Sequence, residues 1–222
     1  MRPGVRVAVH PSDVTACLVT RGDQPEMMER ILSSLIFDAV IVWDNSERED
    51  RKCAGRYWAN ALADTPFVYF QDDDVVVPEA TQQFLVGWHT YGDVCTANWG
   101  HGENPAGYDD LPLVCGGAIV DAAEPWKAIK RYAQHFPLDE DFNYEADFVV
   151  GALYPKFTHV HLPFHIEMPV AQHPSRLVNQ PWQRGLKAEL TARARAIRDG
   201  KLDGFAPAAT DDRSVRDDSS RV

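Results

Sequence analysis

The sequence predicts an α/β fold in a single domain, with a mostly parallel central sheet and flanking helices. Apolar runs typical of buried strands cover residues 14–20, 39–43 and 67–70. Between these runs, apolar side chains recur at helical spacing, and Pro25 stands where the first helix would begin. The first third of the chain therefore alternates strand and helix, an order that requires crossovers between parallel strands.

Length, composition and charge agree with one globular domain. The chain has 222 residues, of which 45% are hydrophobic and 10% aromatic, enough for one ordinary core. Because no apolar run could span a bilayer and no signal peptide is visible, we expect a soluble, cytoplasmic protein with reduced cysteines. The net charge of −11 argues against a protein whose main task is wrapping nucleic acid.

The second half of the chain predicts less regular elements. Helices are expected over residues 81–88, 125–134 and 145–153, and strands over residues 94–98, 113–120 and 158–164. The polar stretch 99–112 is long enough for a lid or binding loop. A basic helix is expected over residues 184–199, and residues 200–222 have the composition of a disordered tail.

Three consecutive carboxylates, Asp72, Asp73 and Asp74, follow the third predicted strand. Their mutual repulsion would be relieved by a shared cation, and oxygen ligands suit Mg²⁺ or Mn²⁺. The pattern therefore favours a metal site, although a solvated acidic turn would also explain it on so acidic a chain.

Two more polar loops are expected beside this one. Thr20 and Arg21 end the first predicted strand, and Asp44 ends the second. In open α/β sheets, ligands bind where the carboxyl ends of the strands converge. Together the loops offer an arginine for phosphate, carboxylates for ribose hydroxyls or a base edge, and acids for a metal. This set indicates a nucleotide whose diphosphate is bridged by a cation, whereas ordinary turn chemistry would explain each loop alone.

These residues resemble the GT-A glycosyltransferases, and within them the large family of inverting enzymes that use nucleotide-diphosphate sugars; the match covers residues 14–173. The resemblance implies a Rossmann-like GT-A catalytic domain over residues 1–183, with a nucleotide-sugar half at 10–98 and an acceptor half at 99–183. It implies that Thr20 and its loop touch the nucleobase and that Asp44 binds the nucleoside. It also implies that Asp74 ligates Mn²⁺ or Mg²⁺, with Asp72 assisting it or binding the ribose, while Asp73 belongs to the nucleotide-sugar site.

The resemblance extends to the acceptor side. Gly117, within a run of small residues at 115–118, matches a small-residue pair beside the sugar pocket, although tight strand packing would also explain a glycine there. The family carries an adjacent acidic pair at the start of a helix, and this chain has Glu145 and Asp147 with one residue between them. We expect Asp147 to be the catalytic base, with Glu145 as the reserve.

A histidine-rich segment, His159, His161, His165 and His173, begins within the last predicted strand. His173 matches the family histidine that completes the metal shell, His165 is the weaker choice, and Arg176 could reach a phosphate. At least one of the neighbouring histidines is expected to be an ordinary surface residue, because the segment alternates like a strand.

The implied reaction is metal-dependent transfer of a sugar to an acceptor hydroxyl with inversion. A UDP-sugar is the commonest donor in such families, and the acceptor could be a glycan, a lipid-linked sugar or a small molecule. The compact size also resembles small phage-type glycosyltransferases, some of which modify hydroxymethylated pyrimidines in DNA. For that acceptor, the basic helix and the aromatic residues Trp99, Tyr108 and Trp182 could supply contacts.

Three alternatives remain open at this level. The Asp72 to Asp74 motif also fits the haloacid-dehalogenase-like Mg²⁺ phosphatases, although two strand-helix units precede it here and no lysine follows until Lys127. A nucleotidyltransferase that makes sugar nucleotides would need a more glycine-rich first loop. A non-catalytic relative that binds sugar or nucleotide would keep the fold without the base.

Overall fold

The computed structural model describes residues 8–89, 94–98, 109–114, 116–166 and 180–205. Its strands are β1 (Val14–Thr20), β2 (Ala39–Asp44), β3 (Phe67–Phe70), β4 (Val75–Val76), β5 (Cys95–Asn98), β6 (Ala118–Asp121), β7 (Phe157–Val160) and β8 (His165–Ile166). Its α-helices are α1 (Pro25–Ser34), α2 (Gly55–Asn60), α3 (Glu79–Trp88), α4 (Glu124–Ala133), α5 (Glu140–Leu153) and α6 (Gln183–Asp199). Among the described residues, no helix is both long and apolar enough to cross a bilayer.

The central sheet has six strands in the order β2-β1-β3-β6-β5-β7. β1 pairs in parallel with β2 and β3, and β5 pairs in parallel with β7. Only β6 runs antiparallel to its neighbours β3 and β5. The predicted α/β fold with a mainly parallel sheet is therefore confirmed, and the carboxyl ends of β1, β2 and β3 lie at one edge.

Alternate residues of β3 build the two faces of the core. Val68 and Phe70 belong to the larger apolar cluster, which is shared with α2, α4, α5 and α6. Phe67 and Tyr69 point to the other face, where Leu85 and Val86 of α3 cover them. With all four β3 side chains buried, the chain that leaves this strand emerges from the middle of the fold.

Two predicted elements begin elsewhere. The strand expected over residues 113–120 starts only at Ala118, because Gly117 donates its N–H to the Val114 carbonyl at 3.1 Å and closes a turn first. The helix expected from residue 145 starts at Glu140, because Asp139 caps it by accepting the N–H of Phe142 at 3.0 Å.

The predicted tail is folded at its start. Residues Leu202–Gly204 form a 3₁₀-helix, and the ring of Phe205 lies 6.3 Å from that of Phe136. Residues 200–205 therefore belong to the packed part of the chain rather than to a disordered tail.

Candidate active site

The ends of β1 and β2 form one polar corner. Thr20 and Asp44 are the last paired residues of the two strands. Asp44 Oδ1 accepts hydrogen bonds from the backbone N–H and the hydroxyl of Ser46, at 2.8 and 2.7 Å. Gly22 has a φ of +77°, and a Cβ on it would lie 3.0 Å from Asp44 Oδ1. A glycine at this position lets the two loops touch, as the prediction of a shared site requires.

Arg21 and Asp73, both partly exposed, follow the ends of β1 and β3. Arg21 pairs with Asp23 at 3.0 Å, and its side chain is 34% exposed. Burial and the charge of Asp72 raise the pKa of the Asp73 carboxyl, while Arg21 and Arg56 act to lower it. The predicted phosphate-binding arginine therefore lies within electrostatic reach of the aspartate loop.

Gln71 fixes the turn that presents the three aspartates. This residue is fully buried, accepts a hydrogen bond from Tyr69 Oη at 2.8 Å and donates one to the Val75 carbonyl at 2.8 Å. The turn is thus closed from inside, and it places Asp74 almost wholly out of solvent, with 1% exposed. A carboxylate held so deep directly after a strand differs from the solvated acidic turn that the sequence left open.

Arg56 of α2 is absent from the predicted site, yet it joins two parts of it. The residue is 2% exposed, its Nη2 lies 2.7 Å from Asp72 Oδ1 and 3.5 Å from Asp147 Oδ2, and its Nε donates to the Cys53 carbonyl at 3.3 Å. Asp72 is therefore already paired with a protein cation, which offsets part of the charge of the three aspartates.

Asp147 lies against α2 through a second contact. Tyr57 Oη donates to Asp147 Oδ1 at 2.7 Å, and the Asp147 side chain remains 14% exposed. Burial raises the pKa of Asp147, Arg56 and the hydrogen bond from Tyr57 act to lower it, and the charge of Asp72 raises it further. The result is a carboxylate that accepts a proton more readily than an ordinary aspartate.

Glu145 lies at a kink rather than at a helix start, which corrects the prediction. Its φ of −121° and ψ of 21° interrupt α5, and the residue is 1% exposed. Gln183 of α6 donates to its Oε1 at 2.7 Å. Burial raises the pKa of Glu145 to about 7, although Lys187 and the bond from Gln183 act to lower it. The hydrogen-bond partner of Glu145 is thus on α6. Asp147, in contrast, forms an ion pair with Arg56, the residue that also pairs with Asp72.

Gly117 approaches a protein side chain closely. Its φ is +97°, and a Cβ there would lie 2.8 Å from Tyr69 Oη. Tyr69 in turn holds Gln71. In this structure the glycine therefore permits tight packing behind the aspartate loop.

Several predicted site residues lie outside the described part of the chain. These are His173, Arg176, Trp99 and Tyr108, and for His165 only the backbone is described, in β8. Among the residues that are described, no three histidine, cysteine or acidic side chains are arranged to hold a metal ion.

The predicted basic helix makes mostly internal contacts. Arg195 and Arg198 both pair with Asp110, and Arg193 pairs with Glu189 on the same helix. Lys187 lies 4.1 Å from the centre of the Phe148 ring, and Trp182 packs edge-on against Tyr144 at 5.0 Å. The basic side chains proposed for a DNA contact therefore largely hold α6 to the domain.

The chain matches no family model and no curated protein. Among solved structures, it resembles 4-diphosphocytidyl-2C-methyl-D-erythritol synthase from Anaerococcus prevotii, with 9% identity over 82% of this chain and 99% of that one and a TM-score of 0.48. It also resembles TarS from S. aureus, with 14% identity over 86% and 74% of the two chains and a TM-score of 0.45. A third is a mutant Drosophila β1,4-galactosyltransferase 7 in complex with manganese, UDP-Gal and xylobiose, with 14% identity over 73% and 75% and a TM-score of 0.43. At such identities and TM-scores the likeness carries no argument about function, which rests on the residues of the site.

Proposed function

We propose that this protein is a metal-dependent glycosyltransferase that moves a sugar from a nucleotide-diphosphate donor to an acceptor hydroxyl, with inversion at the anomeric carbon. The observation that carries the proposal is the joining of Asp72 and Asp147 by the buried Arg56. It brings an acid from the carboxyl end of β3 and an acid from α5 to one place, where donor and acceptor would have to meet.

The donor side uses the carboxyl ends of β1, β2 and β3, within a nucleotide-sugar half that we assign to residues 10–98. Ser46 donates two hydrogen bonds to Oδ1 of Asp44. The second carboxylate oxygen of Asp44 would accept a hydrogen bond from a ribose hydroxyl or from the base. Arg21 is half-exposed beside the aspartate loop and would contact phosphate. Asp72 is fixed by its hydrogen bond from Arg56. It would accept a hydrogen bond from a ribose hydroxyl rather than serve as the main metal ligand.

The residues present fit a divalent cation that shares its ligands with the substrate. Mg²⁺ and ions like it are commonly held by one or two carboxylates together with substrate phosphates. The buried Asp74 would supply the protein carboxylate, and His173, outside the described residues, is the proposed second ligand. When bound, Mn²⁺ or Mg²⁺ would neutralise charge on the departing diphosphate.

Asp147 would remove the proton from the acceptor hydroxyl, in an acceptor half that we assign to residues 99–183. Its raised pKa makes it a stronger base, and its partly exposed side chain can be reached. Attack from this side, opposite the departing diphosphate, would invert the anomeric centre. Glu145 is the second choice for the base, because its carboxyl is bonded to Gln183.

Calorimetric titration tests the donor site. UDP and the other nucleoside diphosphates would be titrated with and without Mn²⁺ into the wild type, Asp74→Asn and Asp64→Asn. Asp64 is the matched control, because it is exposed and precedes the amino end of β3. We expect one nucleotide to bind only with metal, and to bind at least roughly tenfold more weakly to Asp74→Asn alone. Equal binding by all three proteins, or hydrolysis of phosphomonoesters without nucleotide binding, would contradict the proposal.

Turnover in two further variants tests the base. Asp147→Asn should lower kcat by roughly 10²- to 10⁴-fold while leaving donor affinity unchanged, since it removes proton transfer only. Glu145→Gln should have the smaller effect. The reverse ranking would transfer the role of base to Glu145.

A further inference from the structure

Two neighbouring residues of the short helix α2 hold the two oxygens of one carboxylate. Tyr57 Oη lies 2.7 Å from Asp147 Oδ1, and Arg56 Nη2 lies 3.5 Å from Asp147 Oδ2. Contacts to both oxygens fix the plane of the carboxylate as well as its position. We infer that Tyr57 is a positioning residue, which aims Asp147 at the acceptor hydroxyl and holds it there. This inference rests on the proposed function, since that function makes Asp147 the base.

The Tyr57 side chain is itself held rigidly. It is fully buried, and its ring meets that of Phe70 edge-on, with the centroids 5.3 Å apart. Phe70 is the last residue of β3, immediately before the loop that carries the aspartates. Through this one side chain, the strand that presents the donor loop is coupled to the acid on α5.

The hydroxyl of Tyr57 acts only as a donor to Asp147. Burial, together with the charge of Asp147, raises the pKa of Tyr57 well above its ordinary value, so the phenol keeps its proton. Phenylalanine would fill the same space without this hydrogen bond. Core packing therefore explains why an aromatic ring stands at this position, and the hydrogen bond to Asp147 explains why the ring carries a hydroxyl.

Several other groups act on the Asp147 carboxyl. They are Arg56, Asp72 and Cys53, together with Glu145 on α5 itself and Tyr154 just beyond the end of that helix. Arg56, Cys53 and the hydrogen bond from Tyr57 favour the ionised form, whereas burial and the charge of Asp72 oppose it. Loss of the Tyr57 hydroxyl should therefore move the titration of Asp147 to higher pH.

The experiment is a carboxyl ¹³C NMR titration of the full chain labelled at aspartate, with Asp147→Asn used to assign the Asp147 signal. Tyr57→Phe should raise the midpoint of this signal. Tyr154→Phe is the matched control, because the Tyr154 hydroxyl is buried and has no hydrogen-bond partner among the described residues. Burial and the charge of Asp147 raise the pKa of Tyr154 well above its ordinary value, so its phenol is uncharged where Asp147 titrates and its loss should leave the midpoint unchanged. An unchanged midpoint in Tyr57→Phe would overturn the inference.

A second variant keeps the test decisive if Tyr57→Phe does not fold. Arg56→Lys retains a cation but loses the reach of the guanidinium, and it should raise the same midpoint, because the loosened contact leaves the carboxylate less well stabilised. If the titration midpoint of Asp147 stays unchanged in each of these two variants that folds, α2 does not control the Asp147 carboxylate and the inference is overturned.

Kinetics separate this inference from the proposed function. In Tyr57→Phe, kcat should fall by roughly tenfold, the equivalent of one net hydrogen bond, with the KM for donor unchanged. The acidic limb of the pH profile of kcat should move in the same direction as the NMR midpoint. If the NMR midpoint shifts but the acidic limb of the kcat profile does not, Tyr57 does position Asp147, but Asp147 is not the catalytic base.

Discussion

Arg56 and Asp72 form an ion pair of 2.7 Å in which the side chain of the arginine is only 3% exposed and that of the aspartate 25%. The same guanidinium lies 3.5 Å from Asp147. A single buried cation thus offsets carboxylates from two separate elements, the aspartate loop after β3 and the helix α5. Its contribution to folding should therefore exceed that of an ordinary surface ion pair.

Replacing Arg56 should destabilise the protein strongly. Arg56→Met would leave two carboxylates near the core without their cation, and breaking a buried pair in this way typically costs about 3–5 kcal/mol of unfolding free energy. The loss should be larger at pH 8 than at pH 5. Burial already raises the pKa of Asp147 in the folded state, and removing Arg56 raises it further, so stability falls as the pH rises through that value.

Urea unfolding at the two pH values checks this prediction, with Lys127→Met as the control. Lys127 pairs with Glu124 on the surface of α4, and its side chain is 66% exposed. The control variant should unfold much like the wild type at both pH values. A loss for Arg56→Met that is small, or that is the same at both pH values, would argue that the carboxylates do not depend on this cation.

Glu145 should make stability depend on pH near neutrality. Its pKa is about 7 in the folded protein against an ordinary value of 4.5, so the folded state retains a proton that the unfolded state has released. The contribution of Glu145 to the free energy of unfolding is therefore full below about pH 4.5 and is lost as the pH rises through about 7. Glu145→Gln removes this loss, because the amide stays neutral and its oxygen can still accept from Gln183. We expect the variant to be more stable than the wild type by about 3 kcal/mol at pH 8 and to match it near pH 4.5.

Thermal unfolding between pH 4.5 and 8.5 measures the difference. Glu189→Gln is the control, since the Glu189 side chain is 44% exposed and pairs with Arg193 on the surface. Its difference from the wild type should show no step near pH 7. A Glu145→Gln curve parallel to that of the wild type would mean that Glu145 is already ionised at low pH.

The strand ends could be predicted from the sequence because hydrophobic periodicity locates strands well. The apolar runs placed Thr20, Asp44 and the aspartate loop at one edge of the sheet, and the parallel pairing of β1, β2 and β3 brings them there. Periodicity requires no knowledge of what packs on the sheet.

Arg56 could not be predicted in the same way. Periodicity put its neighbour Tyr57 on the apolar face of a helix, but it does not say which side chains that face meets. Asp147, which contacts both residues, lies 90 residues beyond Tyr57 in the chain. A signal was nevertheless present: an arginine directly before the apolar Tyr57 and Trp58, in a chain that carries clustered aspartates, is a candidate for a buried ion pair.

The kink at Glu145 also depends on packing. A helix from residue 140 follows from the cap at Asp139, yet the backbone departs from helical geometry where Glu145 is bonded to Gln183 of α6. The start of the helix is thus marked by a local residue, whereas the partner of Glu145 at the kink lies 38 residues away and local propensity does not reveal it.

Gly117 provides a test of how closely the sheet packs behind the aspartate loop. Gly117→Ala would place a methyl group 2.8 Å from Tyr69 Oη at a φ of +97°, and we expect it to lower the unfolding free energy. The loss should be about 2–4 kcal/mol, from backbone strain and overpacking together. Gly87→Ala is the matched control: that glycine is exposed on α3, and a Cβ added to it would meet no atom of another described element within 4 Å, so alanine there should stabilise the helix. The expected gain is about 0.5–1 kcal/mol.

Adding Tyr69→Phe to Gly117→Ala separates the two causes. Without the hydroxyl the methyl group gains room, so the double variant should recover the part of the loss that comes from overpacking, while the part that comes from backbone strain remains. Because Tyr69 Oη donates a hydrogen bond to Gln71, which closes the aspartate loop, Gly117→Ala should also weaken the proposed metal-dependent nucleotide binding, whereas Gly87→Ala should not. Stability is measured by chemical unfolding and nucleotide binding by calorimetry, on five proteins: the wild type, Gly117→Ala, Tyr69→Phe, their double variant and Gly87→Ala. Losses that simply add in the double variant would show that the methyl group does not press on Tyr69, and the coupling from Gly117 to the aspartate loop would be wrong.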